Sequence, residues 1–128
     1  MLTTPSTRPS VKEREFQDQV IAMAILYGWK VHHVRPGMTT NGRWMTHVQG
    51  HTGFPDLVLA HKTKGIIFAE LKADKGRCEA DQIDWLRTLD TAGAECYVWR
   101  PADWHFIQTR LLKGPDANDH RPIPTPGT

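Results

Sequence analysis

A chain of 128 residues fits one domain, and 39% hydrophobic content supplies a modest core, which excludes global disorder. Sixteen Lys and Arg against 14 Asp and Glu leave a net charge of +2, too small to argue nucleic-acid binding from charge alone. Two cysteines, Cys78 and Cys96, exclude a Cys-rich zinc site and read as free thiols, and neither a signal-peptide h-region nor a run of 18 apolar residues is present, so a soluble cytoplasmic protein with no membrane partner is expected.

Residues 1–10 read as a flexible leader, 11–113 as the folded domain and the Pro-rich stretch 114–128 as a disordered tail. Phe16, Val20, Met23, Ala24 and Tyr27 recur at helical spacing and predict a helix over 11–27, with Gly28 placed as a C-terminal cap. Residues 29–35 alternate and are aromatic or β-branched, as in a strand. Residues 36–52 read as a long loop, which closes over nucleic acid in the reading that gives Arg35, Arg43, Trp44 and His47 a role. His47 and His51 have the i, i+4 spacing of a helical metal pair, but Gly50 and Gly53 argue against a helix there.

Residues 54–60 and 66–72 are strand-like runs joined by a five-residue turn. A second helix follows over 79–91, then a strand over 95–100 stopped by Pro101, then a short helix over 103–112 with Asp103 as its N-cap. The order α-β-β-β-α-β-α predicts an α/β domain with a central mixed sheet flanked by helices.

Folding the central hairpin about Thr63 sets Ala60 opposite Ile66, Val58 opposite Phe68 and Asp56 opposite Glu70. Opposed residues have Cβ atoms about 4.5–5.5 Å apart, and Glu70 and Lys72 share a face roughly 6.6 Å apart along the strand. Two carboxylates at that spacing repel, and a hard divalent cation relieves the repulsion; Mg²⁺ takes one or two carboxylates plus waters and phosphate oxygens. Lys72 can then steady the attacking water, and the Leu71 backbone carbonyl can be a further ligand. The competing reading is ordinary: Pro-Asp occurs at many turns, and E-x-K makes surface ion pairs worth roughly 0–1 kcal/mol. Both runs are otherwise apolar on both faces, however, and charges at the ends of buried strands need a reason.

Pro55-Asp56 followed by Glu70-Leu71-Lys72 resembles the PD-(D/E)XK nuclease superfamily. Lys75-Gly76-Arg77, then Asp81-Gln82-Ile83-Asp84-Trp85-Leu86, then Ala92-Gly93-Ala94 narrow the resemblance to the virus-type replication-repair nuclease (VRR-NUC) family, over about residues 15–112. The resemblance implies Mg²⁺ or Mn²⁺ and phosphodiester cleavage in DNA, often branched or flapped. It makes Asp56 and Glu70 metal ligands and Lys72 the catalytic lysine. Glu15 matches the acid that such nucleases place on the first helix, against an ordinary solvated charge among Glu13 and Asp18. Gln82 matches a glutamine that tends to face the site, against a helix-surface residue.

Lys75 and Arg77 are the expected backbone contacts, with His33, Arg35 and Arg43 as further DNA-binding candidates; a packed histidine is the alternative for His33. The expected activity is that of a structure-selective endonuclease acting on branched, flapped or four-way DNA. A homodimer would suit so small a chain, and phage or bacterial origin fits. The alternative is a non-catalytic DNA-binding or anti-restriction module on the same fold, and an RNA substrate is a third reading.

Overall fold

The computed structural model describes residues 11–34, 37–38, 44–45, 49–116 and 123–125. The expectations for the leader, for most of the tail and for Arg35, Arg43 and His47 lie outside the described residues, as does the side chain of Trp44. The element order is α1 Val11–Leu26, β1 Lys30–His33, β2 Gly37–Met38, β3 Trp44–Met45, β4 Leu57–His61, β5 Gly65–Leu71, α2 Ala80–Thr91, β6 Glu95–Trp99 and α3 Trp104–Lys113, with a 3₁₀ turn at Pro101–Asp103 before α3.

β1, β4, β5 and β6 form one sheet in that order. β1 and β5 flank β4 antiparallel, and β6 joins β5 in parallel through α2. The two strands that read as apolar on both faces, β4 and β5, are the internal ones. The hairpin register is the expected one, with Ala60 paired to Ile66 and Val58 to Phe68. The structure departs most from the sequence expectation in two places. Strand pairing ends at Leu57, because the chain bends at Pro55 and Asp56 instead of continuing extended from residue 54. The stretch expected to be a loop contains a two-residue ladder, β2 with β3, whose strands are too short to show a pattern among Gly and polar residues.

Strand alternation sends the odd-numbered residues of β4, β5 and β6 to one face: Leu57, Leu59, Ile67, Ala69, Leu71, Tyr97 and Trp99, all buried. The helical stripe of Phe16, Val20, Met23 and Ala24 and the Ile107 and Leu111 pair of α3 cover this face as one core. α2 covers part of the other face through Ile83 and Leu86, near Cys96. Asp103 does not cap α3; its Oδ2 accepts the Arg100 N–H at 2.9 Å and closes the 3₁₀ turn instead.

Candidate metal centre

The β4–β5 ladder closes at Leu57 and Ala69 while β5 runs on to Leu71 against β6, and the first residue beyond the ladder on the β4 side is Asp56. Its Oδ2 accepts the Leu71 N–H at 2.9 Å, in place of the carbonyl that another strand residue would have offered. Its own N–H donates to Glu70 Oε1 at 3.3 Å. The two acids opposed by the turn therefore meet through backbone amides at one end of the sheet, Glu70 through that of Asp56 and Asp56 through that of Leu71. The amide and carbonyl of one strand residue project to the same edge, so the Leu71 carbonyl also faces the Asp56 side, where β4 has ended.

Glu70 is 1% exposed. Its Oε2 receives the Gln82 amide at 2.8 Å and lies 3.5 Å from Lys72 Nζ. The amide is oriented from the other side: Gln82 Oε1 accepts the Glu79 N–H at 2.8 Å at the start of α2, so its NH₂ group is turned to Glu70. Burial and the neighbouring Asp56 charge push the Glu70 carboxyl well above its ordinary value, only partly opposed by Lys72. Burial also raises Asp56, against the Leu71 N–H, Lys72 and His33, which lower it. Two desolvated carboxyls competing for one region are what a divalent cation stabilises in ionised form.

Four further groups surround the pair. The His33 imidazole Nδ1–H donates to the Asp56 carbonyl at 3.0 Å, so His33 braces the bend that aims Asp56. Glu13 lies in the field of Lys72 and Asp56 and is stabilised by the Ala73 N–H, while burial raises its carboxyl. Cys78 is buried close by, its thiol raised by that burial. Arg100 Nη1 donates to the carbonyls of Ala73 at 2.7 Å, Asp74 at 3.4 Å and Gly76 at 2.6 Å, fastening the segment between Lys72 and α2.

Of the two helix acids, Glu13 is the one that lies in the field of Lys72 and Asp56, and Glu15 is exposed. The stripe Phe16, Val20, Met23 continues backward at helical spacing to residue 13, whereas Glu15 is exposed with Asp18 and Gln19 on the opposite side. That extrapolation was available from the sequence; so was the Glu79-x-x-Gln82 capping pattern. Arg100 carried no signal, because its partners are backbone carbonyls of a loop 24 to 27 residues earlier. Lys75 and Arg77 stand exposed on the fastened loop, outside the carboxylate cluster.

Among the described residues, no three His, Cys, Asp or Glu side chains gather closely enough to form a metal cage. Two carboxylates with a backbone carbonyl on the same side are an all-oxygen donor set, which suits a hard cation of the Mg²⁺ kind better than zinc. The sequence matches the family model for the VRR-NUC domain over residues 38–103, a span that contains Asp56, Glu70, Lys72, Gln82 and Arg100. The chain belongs to the VRR-NUC family. The VRR-NUC match does not include α1, so the place of Glu13 rests on geometry. No curated protein and no solved structure matches the chain significantly. Membership makes this a nuclease domain; among the described residues no helix is long and apolar enough to cross a membrane.

Proposed function

We propose that the chain is a Mg²⁺- or Mn²⁺-dependent deoxyribonuclease that hydrolyses phosphodiester bonds in branched, flapped or junction DNA. The observation that carries this reading is the meeting of half-buried Asp56 with buried Glu70, with both carboxyls raised and Lys72 at 3.5 Å from Glu70. Asp56 and Glu70 would hold the ion with the Leu71 carbonyl, and Glu13 would reach it through water. Bound there, the ion supplies an acidified water and shields charge on the phosphate.

The chain's own groups supply the rest. Gln82 holds Glu70 Oε2 by its amide, which leaves the carboxylate one orientation. Lys72, 12% exposed and tied to the end of β6 by its N–H to the Trp99 carbonyl at 3.0 Å, presents an ammonium beside the reacting oxygens, where it can orient water or meet developing charge. Lys75 and Arg77 contact the backbone without reading sequence, and Arg35 and Arg43 would add to that contact. A homodimer presenting two such centres, in the cytoplasm of a bacterium or a phage-infected cell, completes the proposal.

Cleavage assays on linear, flapped and four-way DNA with Mg²⁺, Mn²⁺ or EDTA test it, with Lys72→Ala as control. Metal-dependent cutting by the native chain and a loss of about 10²–10³-fold in Lys72→Ala are expected. Binding without cutting in either metal would favour a non-catalytic DNA-binding module, and cutting of RNA alone would reassign the substrate.

A further inference from the structure

Phe54 is 44% exposed, yet two aromatic neighbours hold its ring. Its ring meets Phe68 at 6.0 Å and Trp85 at 5.0 Å, edge to face in both cases. Trp85 is itself held by the His51 carbonyl at 3.3 Å, and Thr52 Oγ1 donates to Asp81 Oδ2 at 2.8 Å. Between them Gly53 lies at φ +93°, so close to α2 that a Cβ would stand 2.6 Å from the Asp81 carbonyl carbon. Only glycine permits both the conformation and the approach.

A phenylalanine that completes a core is buried. This one is left in water while the segment carrying it is pinned to α2, and it precedes the metal-binding Asp56 by two residues with the buried Pro55 between. Its ring partner Phe68 precedes Glu70 by two residues on the same face of β5, roughly 6.6 Å along the strand, about the reach of one nucleotide from the ion. An immobilised aromatic costs little entropy to use, and every nucleobase offers a face to stack on it. Bases inside a duplex have both faces occupied by their neighbours. A ring at this place can serve only a base released from pairing.

We propose that Phe54 is a stacking shelf for an unpaired nucleobase beside the scissile phosphate, which makes DNA with a base free to leave the helix (a flap, a gap or a branch point) the preferred substrate. The proposal rests on the nuclease reading and adds the source of its structural selectivity.

The test compares kcat/KM on two DNAs of the same sequence, one fully paired and one with a flap at the mapped cut site. The native chain should prefer the flap. Phe54→Leu, which keeps apolar bulk but removes the ring, should lose about 5- to 100-fold on the flap and collapse the preference, whereas Phe54→Trp should retain it. As an independent reading, 2-aminopurine next to the cut site, bound by Lys72→Ala in Ca²⁺, should be quenched, and the added Phe54→Leu change should relieve the quenching. Equal losses on both DNAs, an unchanged preference, or a shift of Phe54→Leu to a smaller species in light scattering would overturn the shelf; the last would make Phe54 a contact with a second copy. Failure of the native chain to cut either DNA would instead sink the nuclease reading, while quenching of the probe would still support the shelf.

Discussion

Glu70 takes an N–H from Asp56, an amide from Gln82 and the ammonium of Lys72, and with less than 2% of its surface in water it depends on all three. A buried carboxylate without partners is costly, so each neighbour is there to tolerate its charge until an ion does so better. This gives the acids on α1 separable fates. Glu13 is half-withdrawn from water beside Lys72 and Asp56, whereas Glu15 is exposed. Glu13→Gln is expected to weaken Mn²⁺ binding and lower cleavage by about 10-fold or more, and Glu15→Gln to change neither, as calorimetry and initial rates will report. The reverse order would restore Glu15 to the centre.

At the scale of elements, the turn of Thr63 and the two apolar runs were enough to set Asp56 against Glu70, because the loop length fixes the register and side-chain alternation accepts it, burying Leu57, Leu59, Ile67 and Ala69 together. The helices were legible through their stripes and caps. What alternation and periodicity do not encode is contact between a side chain and distant backbone. Arg100 exemplifies this: one nitrogen serves three carbonyls of the segment that joins Lys72 to Gln82. It touches no reacting group, so it acts by positioning. Arg100→Met should leave those carbonyls unsatisfied, lower kcat by about 10- to 100-fold and change KM less. Arg100→Lys should recover much of the loss, since an ammonium has three N–H donors for the same carbonyls. If Lys rescues no better than Met, the clamp is only structural.

Across the whole molecule, the two ends of the sheet are organised differently. At the end formed by Gly65 and Glu95, the buried Arg110 donates to Glu95 Oε2 at 2.6 Å, to Glu95 Oε1 at 2.8 Å and to the Lys64 carbonyl at 2.7 Å, while packing over Trp29. Opposite charges are matched there, and Arg110→Met is expected to destabilise the fold by about 3 kcal/mol in denaturant titration. At the end formed by Leu71 and Trp99, like charges are gathered instead, and the pH dependence of stability follows from that. Asp56 and Glu70 both hold their protons to higher pH in the folded metal-free chain than in the unfolded one. Above the ordinary carboxylate values the native state therefore binds more protons than the unfolded state, and stability falls as pH rises through the raised folded values. With Mg²⁺ or Mn²⁺ the ionised pair gains a partner, so the fall should shrink or reverse, and ion binding should release protons, seen as a calorimetric enthalpy that varies with the buffer. Glu70→Gln removes the most strongly raised of these acids. It should melt higher than the native chain in EDTA at neutral pH, with a flatter pH profile, and gain nothing from Mn²⁺. A metal-free melting temperature that climbs with pH over this range would mean that the two acids are not sharing one desolvated place, and the metal centre proposed from their meeting would fall with it.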